Sequence, residues 1–291
     1  MAKARFTVKE FFKRFPSDDA CLDAIKEKRM GGDRMVCTKC QKEARFYRID
    51  GRRAYACQFC GDHFYPCVGT PFEDSRTSLQ TWFYAMYLFT TTRHGVPAKE
   101  LERQLGVTYK TAWRMARILR ELMGDQNNGG KLDGIVEMDE AYFGGDKRDG
   151  KTGRAATGKT ILLGMLEREG RVRAVTVPNA RTVTMKPIIE ENVSKDALLM
   201  TDELNSYRLL VREGWDHQTV HHARKEYARG IVHTQTIENF WGRLKASITG
   251  THVHVSGKYL SVYAGEFAFR ASQRHDPVGM FDRLLSAACR A

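Results

Sequence analysis

Between Val8 and Lys28, apolar residues fall at Phe11, Phe12, Phe15, Cys21, Leu22 and Ile25. That spacing predicts helix, interrupted at Pro16, which lacks a backbone donor. A cysteine-rich stretch, about Gly31 to Pro71, precedes a second helical region over Ser75–Met123. Gly124–Gly130 (GDQNNGG) is small and polar and reads as a linker. Beyond Gly134 the period changes. Ile135–Phe143, Thr160–Glu167 and Arg171–Val177 read as strands, the last two joined by a turn at Glu169–Gly170. Val183–Val193 reads as helix and Ala197–Met200 as a short buried strand; further helices are expected near Ser206–Arg212 and over Thr234–Ile248. Antiparallel strands followed by strand–helix units make a mixed α/β domain.

Composition narrows the class. The 291 residues suit about two domains, and 42% hydrophobic with 28% charged residues excludes wholesale disorder. The formal net charge of +12 points to an anionic partner, nucleic acid first. The excess is concentrated: Met1–Met123 holds 23 Lys and Arg against 14 Asp and Glu, a net +9, and the remainder is only +3. The apolar run Trp82–Phe89 is far short of the roughly 20 residues of a membrane span. No secretory pattern opens the sequence, and seven cysteines, an odd number, argue for a reducing compartment over a disulfide framework.

Two motifs lie in the basic half. Cys37-x-x-Cys40 and Cys57-x-x-Cys60, 16 residues apart, offer four thiolates for a tetrahedral structural Zn²⁺. The intervening residues alternate around Asp50-Gly51, as in the hairpin of a zinc ribbon. A redox dithiol needs only one such pair. Arg45, Arg48, Arg52 and Arg53 on that hairpin are candidate phosphate contacts. Downstream, Pro97 starts a helix, Gly106 ends it and Thr108 caps a second helix through Leu122. This matches a helix-turn-helix, with Tyr109, Lys110 and Arg114 toward a DNA groove and Arg117 and Arg120 toward its backbone. A plain helical hairpin has the same pattern.

Gly153–Thr160 fits the phosphate-loop pattern GxxxxGK[ST], but a polar segment precedes it and a hairpin pattern follows, where the mechanism needs a buried strand and a helix. Lys147, Arg148, Lys151, Arg154 and Lys159 read better as a basic loop meeting DNA. Three carboxylates complete the candidates. Asp139 lies within a strand, Asp202 ends a buried one, and Glu238 shares a helical stripe with Trp241 and Lys245. Asn239 points about 100° away from that stripe. Two strands and a helix of this kind can hold two Mg²⁺ ions, about 4 Å apart, for in-line displacement at phosphorus, with Lys245 gripping the DNA backbone.

The blocks Met138–Gly145 (MDEAYFGG), Leu199–Tyr207 (LMTDELNSY), His233–Ser256 (HTQTIENFWGRLKASITGTHVHVS) and Glu266–Arg270 (EFAFR) resemble insertion-sequence transposases of the ISXO2-like family. The resemblance runs from about Met30 to Arg274. It implies an α+β multidomain chain with an N-terminal zinc ribbon, a helix-turn-helix segment and an RNase H-like mixed α/β catalytic domain. The expected divisions are an N-terminal helical segment (1–30), the ribbon (31–72), the DNA-binding helices (75–123), a linker (124–133), the catalytic domain (134–275) and a C-terminal tail (276–291). The activity implied is Mg- or Mn-dependent cleavage at the ends of a mobile element, then transesterification into target DNA, with no ATP. Asp139 and Asp202 match the first two catalytic acids. The third is Glu in some branches of the family and Asn in others, so Glu238 and Asn239 both qualify. A carboxylate binds Mg²⁺ better, and only Glu238 aligns with Lys245. Lys245 and Trp241 are then expected at the DNA, the partners being double-stranded terminal repeats and target DNA. A homodimer or higher oligomer on DNA is expected, in the bacterial cytoplasm and associated with the nucleoid when bound. The alternative is a DNA-binding regulator whose catalytic domain is inactive.

Overall fold

The computed structural model describes residues 6–126, 129–144, 158–221, 228–273 and 276–290. They form two compact units, Met1–Leu122 with His275–Ala291, and Met123–Arg274.

In the first unit, α1 (Val8–Arg14) opens with a capping box between Thr7 and Glu10. Pro16 falls between it and α2 (Asp18–Met30), which is capped by Ser17. Next come β1 (Met35–Val36) paired with β2 (Glu43–Ala44), and a three-stranded antiparallel sheet of β3 (Phe46–Arg48), β4 (Tyr55–Cys57) and β5 (His63–Phe64). The helices α3 (Leu79–Thr91), α4 (Ala98–Leu105) and α5 (Tyr109–Asp125) follow. Gly106, at φ 64°, takes the left-handed conformation that ends α4, and Thr108 accepts from the Thr111 amide at the start of α5. α3 is apolar on nearly every side, and its Phe83 packs with Phe15 and Phe281. Phe281 belongs to α10 (Pro277–Arg290), which packs on α2 and α3. The segment expected as a tail is therefore a core helix. Phe281, Leu284, Leu285 and Ala288 recur at helical spacing and are buried.

The second unit is built on a five-stranded sheet. Its strands are β6 (Ile135–Gly144), β7 (Lys159–Glu167), β8 (Val172–Val177), β9 (Leu198–Thr201) and β10 (Asp216–Thr219), in the order β10-β9-β6-β7-β8. β6, β7 and β8 are antiparallel, whereas β9 runs parallel to both β6 and β10. α6 (Thr182–Asn192), a 3₁₀ turn (Asn205–Tyr207) and α7 (Arg208–Arg212) link the later strands. The short pair β11 (Ala228–Arg229) and β12 (Val232–His233) leads into α8 (Gln235–Ser247), a π-helical turn (Ile248–His252) and α9 (Gly257–Gln273). Period-two alternation splits the apolar residues between two faces. Val136, Met138, Leu163 and Met165 pack with Met185, Ile189, Tyr207 and Trp215. Ala141, Leu162 and Leu166 pack with Ile237, Phe240, Trp241 and Leu244 of α8 and Phe267 of α9. The expected linker is shorter than its composition implies. α5 continues to Asp125, and Leu132 is fully buried and bridged to Val193.

Gly164 of β7 stands opposite Asp139 of β6. A Cβ there would lie 2.3 Å from the Trp241 ring and 2.8 Å from the Ile237 side chain. A side chain at this position pushes α8 off the sheet. Gly164→Ala is expected to destabilise by about 1–3 kcal/mol, as overpacked cores do; an unchanged denaturant midpoint counts against the close approach.

Candidate functional site

The cysteine knuckles meet as the spacing predicts. The Sγ atoms of Cys37, Cys40, Cys57 and Cys60 all lie within 4.8 Å of one another, with Cys37 to Cys60 at 3.6 Å and Cys40 to Cys57 at 3.9 Å. A tetrahedron with Zn–S bonds of about 2.3 Å has edges of ~3.8 Å, so the four sulfurs fit a zinc ion. The Cys57 thiol is held below its usual range. Burial opposes this, but the amides of Phe59 and Cys60 and the neighbouring thiols outweigh it. Cys21 and Cys289 lie outside the cluster, and burial pushes both thiols up to about 12. The ribbon is tied to α2 by Arg48 on Asp19, Arg53 on Asp18 and the Tyr55 hydroxyl on Asp23. Arg48 and Arg53 are thus engaged within the unit, whereas Arg45 and Arg52 are exposed. Tyr109, Lys110 and Arg114 are exposed on α5, and Arg117 pairs with Glu121 on its surface. Arg120 does not face a DNA backbone. It is buried, donates to the Val96 carbonyl and stacks on Phe89, because its place on α5 turns inward beside Leu119.

In the second unit the parallel ladder pairs Ile135, Val136 and Glu137 with Leu198, Leu199 and Met200. Continued two residues past its last pair, that register leads to Asp139 on β6 and to Asp202, which follows the last residue of β9. Both are partly exposed. The Leu204 amide donates to Asp202 at 2.9 Å and orients it. Tyr207 lies close to the pair: its pKa is raised well above the usual value, first by burial and then by Glu140, Asp139 and Asp202. Glu140 points to the opposite face from Asp139, where it is buried and accepts from the Tyr207 hydroxyl. Glu238 is exposed on α8 and accepts from the Thr234 hydroxyl at 2.7 Å. Lys245 is exposed, with Nζ 5.8 Å from the Phe143 ring of β6. Asn239 is exposed as well, about 200° around the helix from Ile237, which faces the sheet. Among the described residues, the four cysteines are the one group of three or more His, Cys, Asp or Glu side chains whose ligand atoms converge. Asp139, Asp202 and Glu238 are not drawn together into a second.

Residues 131–272 match the ISXO2-like transposase domain, and residues 16–63 match the transposase zinc-ribbon domain. The chain belongs to the ISXO2-like transposase family. It is accordingly a transposase with a structural zinc site in its ribbon, and DNA binding follows from both domains. Its relatives include an uncharacterized protein in transposable element ISH50 of Halobacterium salinarum, 28% identical over 257 residues, covering 81% of this chain and 85% of that protein. An uncharacterized transposase-like protein of Haemophilus influenzae is 33% identical over 75 residues, 26% of this chain and 60% of that protein. Among the described residues no helix is long and apolar enough to cross a membrane.

Within this ISXO2-like chain, several expectations need revision. Trp241 is a core residue, not a DNA contact: it is buried over Gly164 and packs edge-on to Phe143. Lys159 stands at the start of β7 with Nζ 5.9 Å from the Tyr142 ring, and Thr160 continues into a strand. The helix required by a phosphate loop is therefore missing at this point. Lys147, Arg148, Lys151 and Arg154 lie outside the described residues. Two polar residues escaped the sequence reading altogether. Buried Glu137 and partly exposed Arg168 form an ion pair at the start of α8. The one sequence signal is Glu137 itself, a charged residue at an inward position of β6.

Proposed function

We propose that this transposase cuts element ends and joins them to target DNA by divalent-metal chemistry at Asp139, Asp202 and Glu238, in an RNase H-like catalytic domain. The observation that carries the proposal is the parallel register of β6 and β9, whose last pair, Glu137 and Met200, lies two residues before Asp139 and Asp202, with both carboxylates acting on the Tyr207 hydroxyl. The strand order, with three antiparallel strands followed by two parallel additions, supports the fold reading. Both aspartates offer hard oxygen donors of the kind Mg²⁺ and Mn²⁺ prefer, and Glu238 would complete a set for two ions. When bound, such ions activate a water or hydroxyl and neutralise charge at phosphorus. The protein's own groups do the rest. The Leu204 amide orients Asp202, and the Tyr207 hydroxyl keeps Glu140 engaged on the far face. Lys245, held over Phe143, supplies positive charge for the DNA backbone. In the first unit, α4 and α5 are proposed to act as a helix-turn-helix, with Tyr109, Lys110 and Arg114 at the DNA and Arg45 and Arg52 of the ribbon on phosphates. Two element ends require two active sites or successive action, so a dimer or larger assembly on DNA is proposed.

The test uses duplexes carrying the DNA that flanks the coding region. Wild type is expected to nick them only with Mg²⁺ or Mn²⁺, leaving 3′-hydroxyl ends. Glu238→Gln should remove nicking with DNA affinity intact, and Asn239→Ala should retain it. The reverse result assigns the third position to Asn239. Nicking retained in both variants refutes a third ligand on α8.

A further inference from the structure

Glu137 is fully buried on β6, on the same face as Asp139. A buried carboxylate is costly unless donors surround it, and here they do. One carboxylate oxygen, Oε2, accepts from the amides of Thr236 at 2.8 Å and Ile237 at 3.0 Å. The other, Oε1, accepts from the Thr236 hydroxyl at 2.9 Å and Arg168 Nε at 2.6 Å. Those amides are the orphan donors of the first turn of α8, and Thr234 at the N-cap makes no side-chain cap bond of its own. Glu137 therefore caps α8 in place of the N-cap side chain, from a strand about one hundred residues earlier, and its charge also suits the positive end of the helix dipole. Arg168 extends the clamp. Its Nη atoms donate to the carbonyls of Ile231 at 2.7 Å and His233 at 3.1 Å, in the segment entering α8, and its amide bonds to the Ile135 carbonyl of β6.

We propose that Glu137 is a positioning residue. With Arg168 it fixes the start of α8, and so Glu238 and Lys245, against the strand that carries Asp139. The proposal rests on the catalytic reading above. Glu238 is the next residue after Ile237, whose amide Glu137 holds, so slack at this anchor reaches it within one residue rise. A displacement of about 1 Å at a catalytic group costs on the order of 10²-fold in rate.

An ion pair that serves only stability predicts something else: a lower melting temperature, with unchanged turnover per folded molecule. The experiment compares full-length wild type, Glu137→Gln and Arg168→Lys, each below its melting temperature. Hydrogen exchange on the metal-free proteins should show faster exchange of the Thr236 and Ile237 amides in Glu137→Gln, with the β6–β7 ladder still protected. Single-turnover nicking should fall on the order of 10²-fold, with DNA affinity unchanged and the Mn²⁺ concentration for half-activation raised. Wild-type turnover per folded molecule in both variants overturns the proposal. If Glu137→Gln fails to fold, Arg168→Lys decides alone, since it keeps the charge and loses the fork onto Ile231 and His233. If wild type does not nick at all, the catalytic reading fails separately. The clamp is then judged by exchange, and unchanged protection of Thr236 and Ile237 overturns it.

Discussion

Asp202→Asn is expected to remove metal-dependent nicking while the protein folds and binds DNA as before. Asn keeps an oxygen that can accept from the Leu204 amide, so the turn after β9 retains its hydrogen bond. What is lost is the negative charge beside Asp139. A metal-stabilised transition state at phosphorus draws several kcal/mol from its ion. Losing about 4 kcal/mol of that corresponds to a fall of roughly 10³-fold. Asp139→Asn should fall equally far, because the β6–β9 register leads to both carboxylates two residues past its last pair. Glu140→Gln is the control. It adjoins Asp139 in sequence but faces Tyr207, and the amide oxygen can still accept from that hydroxyl. Nicking should persist there. Wild-type cleavage by Asp202→Asn, or loss in Glu140→Gln with full activity in Asp139→Asn, rejects this assignment of faces. A protein that binds element ends but never nicks is a regulator.

Removal of zinc should have the second largest effect, and it acts on recognition. The ribbon's strands are two or three residues long, and its buried side chains amount to little beyond Ala44, Phe46, Ala54 and Tyr55 around the cysteines. So small a core does not offset the ordering of its backbone. Structural zinc contributes about 10–16 kcal/mol in small finger peptides, and that term is missing in the chelated protein. Cys37→Ser or a strong chelator is therefore expected to unfold β1–β5 and weaken end binding at least tenfold, about 1.4 kcal/mol. The measurements are zinc content, hydrogen exchange across Phe46–Cys57 and DNA affinity. Cys67→Ser, outside the four, should keep one zinc per chain. Retained protection of β3 and β4 in the zinc-free protein refutes the dependence. α2 should feel the loss too, because Asp18, Asp19 and Asp23 all contact the ribbon.

Where local chemistry decides the structure, the sequence was readable. Pro16 separates α1 from α2, Gly106 ends α4, and the CxxC spacing brings four sulfurs together. Strands β6 to β8 declared themselves through runs of apolar and β-branched residues. Polar or very short strands did not. β10 reads Asp-His-Gln-Thr, and β11 and β12 have two residues each, so no period is visible. α9 and α10 carried helical patterns that went unread. The face of Asp139 followed from the strand period, but the approach of Asp202 depends on a strand pairing between residues 63 positions apart, as Glu137 and Met200 are. Stripe geometry placed Glu238, Trp241 and Lys245 together yet did not separate the buried member from the exposed ones. Glu137 was invisible for a different reason: its partners Thr236 and Ile237 lie 99 and 100 residues away.

The packing of α10 on α2 and α3 has a consequence for the order of synthesis. The first unit is discontinuous, and the whole of Met123–Arg274 is translated between its two parts. On the ribosome the zinc-bearing unit waits, with the apolar faces of α2 and α3 uncovered, until Phe281, Leu284 and Leu285 emerge. The sheet that carries Asp139 and Asp202 is made in full before the unit at the front of the chain can close. A premature stop near His275 therefore strikes the amino-terminal unit, not a dispensable end.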